Sequence, residues 1–251
     1  MSPTDHGAPE VDSPFRRPAF MVSASFLLVV VLLAVLVILT TGDGDGADTG
    51  AAPAPSAPAR SATPTADAGA CPALKDTETA LPDLAPKGVT WELFRTMALP
   101  SSKASGPAVT EGDVARCYAR TPTGALLAAA QISTRSMLAE DWQSVMWRQT
   151  YGDAREELIK ERSALEKKDP APDPEPGELG QLAGFRFVTY SNSLAVIELV
   201  TRFNQPEILQ ASTVTLRWSP KADDWQYEIS RAYAQPKSVD SLAGYVKWGG
   251  V

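Results

Sequence analysis

An uncharged, proline-free run from Phe20 to Thr40, FMVSASFLLVVVLLAVLVILT, divides this chain into parts that cannot share one core. A run of ~20 apolar residues is long enough to cross the hydrocarbon layer of a bilayer as a helix. Arg16 and Arg17 precede the run, whereas Asp43, Asp45 and Asp48 follow it and the next basic residue is Arg60. Positive charge at the end of a span is retained in the cytoplasm. The pattern therefore predicts a cytoplasmic tail over 1–19 and a span over 20–41, flanked by Arg16 and Arg17, with everything beyond outside the cell membrane. Cleavage as a signal peptide is the competing reading. It suits a shorter apolar region ending at a small-x-small site, and TTGDGDG is a poor one. Ala68-Gly69-Ala70-Cys71 has the look of a lipidation site but lies far from the apolar run.

The segment 42–70 is Gly, Ala, Pro, Ser, Thr and Asp with almost no large apolar residue, so it reads as a disordered tether. GDGDG within it lacks the later bidentate acid of a calcium loop. About 180 residues, 71–251, remain for one extracytoplasmic domain. The net charge is −7 and no Lys/Arg cluster follows the apolar run, which argues against nucleic-acid contact.

The single histidine, His6, lies in the tail, so the outer domain has none for a Ser-His-Asp or Cys-His arrangement or for most zinc sites. No Cys-x-x-Cys and no phosphate-cradling glycine loop occurs. The cysteines are Cys71 and Cys117, both in the oxidising compartment; they read as one disulfide or as two unpaired thiols, since spacing supplies no geometry.

Cys71 to Arg120 is irregular, with Val89–Leu93 and Val114–Tyr118 as short extended pieces and Pro100–Pro107 as a loop. Thr121-Pro122 opens a helix through GALLAAAQI, apolar all round and therefore buried. A second helix runs from about Met137 to Tyr151. A third opens on the capping box Asp153–Glu156 and runs to about Lys168, with Leu158 and Leu165 on its apolar stripe. The acidic proline loop Asp169–Glu178 follows. The period then becomes two, giving strands at Phe185–Ser191, Leu194–Phe203, Ile208–Trp218 and Trp225–Ser230. Ile197, Leu199, Thr201 and Phe203 form the face expected to meet the helices. Three helices followed by a four-stranded antiparallel meander is an α+β plan, and the order suggests an NTF2-like (cystatin-like) cone.

Trp91, Ala98-Leu99-Pro100, Gly106–Val109, Gly112–Arg116 and Thr121–Ala129 together resemble an uncharacterised actinobacterial family of single-span membrane proteins with a tether and an extracytoplasmic domain. The resemblance extends to the layout of the whole chain. It implies a likeness to the TcpC-like bitopic scaffold proteins of type IV secretion and conjugation. Family members often carry Gly-Phe-Ala-His before the Thr-Pro. Here Cys117-Tyr118-Ala119-Arg120 stand there, so no role of that histidine is carried over.

The expected function is a non-enzymatic membrane-anchored scaffold or assembly protein, with envelope proteins or a second copy as partners and no cofactor or metal. The alternative is a small-molecule or lipid-binding module. Trp218, Trp225, Tyr227, Tyr245 and Trp248 are the candidate pocket or partner contacts, although core and cross-strand packing explains such residues as well. Glu198, mid-strand among apolar residues, is the best single candidate for a perturbed acid; a carboxylate on the solvent side of a half-buried strand is the plainer reading.

Overall fold

The structure, a computed structural model, describes residues 70–250 apart from 171, 173, 175, 176, 205, 206 and 233. The expected tail, span and tether therefore fall outside the described residues, save Ala70. Among those described, no helix is long and apolar enough to cross a membrane.

Thr121 starts the first helix as its sequence requires. Its hydroxyl accepts from the Gly124 N–H at 3.1 Å and Pro122 occupies the first turn of α1 (Pro122–Leu138). Both satisfy the geometry of an open helix end. The run Ala125–Ala130 is wholly buried, because α1 is packed on all sides. One neighbour is the hairpin β1 (Thr90–Phe94) and β2 (Met97–Ser101), tied to the helix by Gln131 Nε2 donating to the Pro100 carbonyl at 2.9 Å. The small side chains of α1 allow this close approach. A second hairpin, β3 (Val109–Glu111) and β4 (Val114–Arg116), precedes the helix.

Asp141 caps α2 (Trp142–Gln149) by accepting from Ser144 N–H at 3.2 Å. The capping box expected at Asp153 does not form. The cap of α3 (Arg155–Lys168) is Ala154 with no side-chain bond, and Asp153 instead accepts the backbone N–H of Arg231 at 3.2 Å. Local capping lost to a tertiary acceptor need. Of α3 only Ile159 is buried; Arg162 fixes the helix by lying 4.0 Å over the Trp142 ring while donating to the Ser136 and Met137 carbonyls and to Glu166.

The sheet's long strands are β6 (Gln181–Ser191), β7 (Leu194–Asn204) and β8 (Glu207–Ser219), with β9 (Asp224–Glu228) beside them. The Ser191 hydroxyl accepts the N–H of Leu194 at 3.1 Å and so shapes the β6–β7 turn. Three short strands complete the sheet: β5 (Thr150–Tyr151), parallel to β9; β10 (Lys237–Val239), on β8; and β11 (Val246–Lys247), on β6. The order is β11-β6-β7-β8-β9-β5, with β10 sharing the β8 edge that β9 also uses.

The expected NTF2-like cone with a four-stranded antiparallel sheet is thus overturned. The sheet has seven strands, one pairing is parallel, and two separate hairpins stand beside it, so the domain is mostly β. The four strands read from alternation are four of the seven. The other three are two or three residues long, too short to carry a period. On β7, Ile197 and Leu199 are buried against the helices, yet Glu198 and Val200 on the opposite face are buried as well. The C-terminal segment, through Lys237, Leu242 and Tyr245, covers that face.

At Gly124 an added Cβ would lie 2.0 Å from the carbonyl oxygen of Ala119. Gly124→Ala is expected to lower the unfolding free energy by about 3 kcal/mol, the upper end of ordinary overpacking, read by chemical denaturation. A loss below the error of the measurement would contradict the packing described.

Candidate functional site

Two carboxyls are buried among the described residues, and each is fixed by protein donors. Asp224 opens β9 and is 6% exposed. Its Oδ2 accepts the Cys117 N–H at 2.6 Å, and its Oδ1 accepts the N–H groups of Tyr118 and Trp225, both at 2.9 Å. Burial pushes the carboxyl up to about 6, against the opposing pull of those three donors. Cys117 beside it has φ 70 and is joined to Cys71, with an S–S distance of 2.06 Å. These sulfurs and Asp224 are the one group among the described residues close enough to share a metal ion. Bonded to each other, the sulfurs have no thiolate to offer. Tyr118 completes the cluster; burial and the Asp224 charge hold its phenol well above the ordinary range, and its hydroxyl donates to the Ala115 carbonyl.

Glu198 is 5% exposed. Lys237 Nζ donates to Oε1 at 2.8 Å, and Tyr245 Oη (2.9 Å) and Arg186 donate to Oε2. Burial raises this carboxyl, but the combined bonds from Lys237, Tyr245 and Arg186 outweigh it and leave it below the usual range. An acid held ionised by three donors lacks the free proton and open lone pair of a general acid or base. Its work is to clamp the C-terminal segment to the sheet.

The aromatic candidates are dispersed. Trp225 is core, with its Nε1–H donated to the Ala119 carbonyl at 3.0 Å. Trp218 lies edge-on to Trp225, under the Arg120 guanidinium at 5.2 Å. Tyr245 belongs to the Glu198 clamp. Tyr227 lines one cavity and Trp248 another.

The cavity at Tyr227 lies between the helices and the sheet and holds about 370 Å³. This volume falls at the lower end of the ~300–1,000 Å³ typical of small-molecule sites. Its walls are mostly apolar: Met97, Met137, Met146, Leu158 and Leu199 with Trp142. The chain has five methionines, and the three beyond the apolar run all line this space. At its edge Met137 is 59% and Leu158 41% exposed. The one cation in the lining, Arg162, has its guanidinium committed to Glu166, Ser136 and Met137. Sequence periodicity marked Leu158 as an apolar stripe residue, but nothing in the spacing of Met97, Met137 and Met146 showed that they meet.

Two outcomes test these assignments. The neutral form of Asp224 contributes stability that is fully present below its ordinary 3.8 and lost as pH rises through about 6, about 3 kcal/mol by linkage. The unfolding free energy of the wild type minus that of Asp224→Asn is therefore expected to fall by about that amount from pH 4 to pH 7; a pH-independent difference would refute it. Glu198→Gln is expected to raise amide hydrogen exchange at least tenfold over Lys237–Val239 and around Tyr245 while α1 stays protected, and unchanged exchange there would remove the clamp.

No curated protein and no solved structure matches the chain. Residues 53–247 match the family model described as "Domain of unknown function (DUF8175)", beginning inside the low-complexity tract. That match covers more than half of the sequence, and the chain belongs to the DUF8175 family.

Proposed function

We propose that this protein is a non-enzymatic binding module, fixed outside the cell membrane by residues 20–41, whose helix–sheet cavity takes a neutral apolar chain such as a lipid alkyl tail. The methionine-rich lining carries the reading. Methionine is unbranched and polarizable, and it suits surfaces that close around flexible apolar guests. With Arg162 committed, the lining offers no spare charge, so a neutral body is favoured over an ionic one. The anchor read at Phe20–Thr40 supports a lipid source for such a chain.

Photolabelling tests it. Full-length protein in phosphatidylcholine nanodiscs is irradiated with a diazirine-bearing alkane, and adducts are mapped by mass spectrometry. Adducts are expected at Met146, Leu158 and Tyr227. Ser212→Phe, which places a ring in the cavity from β8, is expected to cut them at least tenfold with the thermal midpoint held. Labelling confined to the outer surface, or unaffected by Ser212→Phe, would end this reading.

A second reading, the envelope scaffold, rests on a different observation. The outer edge of β6 pairs with β11 only at Gly184 and Phe185; from Arg186 to Ser191 it meets no strand among the described residues, and Val188 there is 57% exposed. A free edge accepts a partner's strand. The resemblance to conjugation scaffolds supports the same reading. A photocrosslinker at Val188 is expected to capture an envelope protein, and deletion of the gene to reduce DNA transfer. No captured partner and unchanged transfer would dismiss it.

A further inference from the structure

We infer that a second cleft, at the start of β6 and beneath the C-terminal segment, binds a small organic anion that presents one flat apolar face and one carboxylate or phosphate. The cleft holds about 590 Å³. Trp91 and Trp248 form its aromatic wall, their rings 5.0 Å apart and inclined at 60°. Trp248 is held rigidly: Phe185 lies edge-on to it at 5.4 Å, and its backbone N–H donates to the Ala183 carbonyl at 3.0 Å. Its indole Nε1–H is buried and meets no acceptor among the described residues.

Charge selects the other half of the ligand. Arg202 and Lys247 both line the cleft. Neither side chain has an ion-pair or hydrogen-bond partner among the described residues, unlike those of Arg186 and Lys237, which share Glu198 on the same sheet. No Asp or Glu lines the cleft, although the chain carries a net charge of −7. Two such cations beside an acid-free aromatic wall attract an anion whose apolar body packs on the half-buried Trp91, which the buried Trp248 supports from behind. Guanidinium presents a planar fork matched to carboxylate and phosphate. This site is independent of the helix–sheet cavity; only Leu182 lines both.

The test uses full-length protein in phosphatidylcholine nanodiscs. Calorimetric titration with naphthalene-2-carboxylate is expected to give saturable binding at least tenfold tighter than naphthalene-2-methanol, weakened at least tenfold by Arg202→Ala combined with Lys247→Ala. Both side chains are exposed, so the double variant keeps its fold, checked by its thermal midpoint. Ser212→Phe, aimed at the other cavity, is expected to leave this binding unchanged. A second arm replaces part of the nanodisc lipid with phosphatidylglycerol and follows acetylation of Lys247 by mass spectrometry. Protection that disappears in Arg202→Ala identifies the anion as a lipid headgroup; naphthoate binding without such protection identifies a soluble ligand; either supports the site. Equal affinity for the alcohol, indifference to the double variant, or neither naphthoate binding nor protection overturns it.

Discussion

The Asp224 carboxyl holds this domain together at the point where its parts diverge. Its three bonds reach Cys117 and Tyr118, the residues that lead into α1, and Trp225, the largest fully buried side chain. Trp225 returns to the same place by donating to Ala119. The entry to the buried helix and the start of β9 are thus fastened through one side chain across more than a hundred residues of sequence. Breaking it would leave three buried N–H groups without acceptors, each costly in a low-dielectric interior. The left-handed backbone at Cys117 is tolerated where disulfide and carboxyl converge.

Local chemistry made part of this legible in the sequence. Thr121 and Pro122 announce a helix start, the unbroken apolar run after them announces burial, and period-two alternation marks β6 to β9. Those signals depend only on neighbours along the chain. Met97–Ser101 was obscured by Pro100 inside a stretch that reads as loop, and β5, β10 and β11 are too short for any period. They pair because tertiary structure brings an edge to them. That is why three helices before four strands suggested a cone, while a larger, partly parallel sheet is what forms. Asp153 shows the same competition from the other side: a sound capping signal was overridden by a backbone donor from Arg231.

The candidate sites were less legible still. Trp248 and Tyr227 stand out in the sequence only as aromatic residues, and they line different spaces. The methionines that converge on the helix–sheet cavity lie on β2, α1 and α2, with no shared spacing. Asp224 follows the polar stretch Ser219–Asp223 in the sequence, where an acid is unremarkable until its burial is known. Glu198 stands out in the sequence because its neighbours are apolar, but the C-terminal cover that buries it is as far away as Lys237 and Tyr245.

The place of Cys71 has a mechanical consequence. A pull applied to the chain at Cys71 meets the disulfide at that residue. The disulfide passes that load directly to Cys117, and the Asp224 bonds pass it on to the central sheet. Residues 72–116, with both small hairpins, lie on a closed loop that the force path skips. Tension applied at Cys71 would leave this loop slack and run through a covalent bond into the most deeply packed part of the domain.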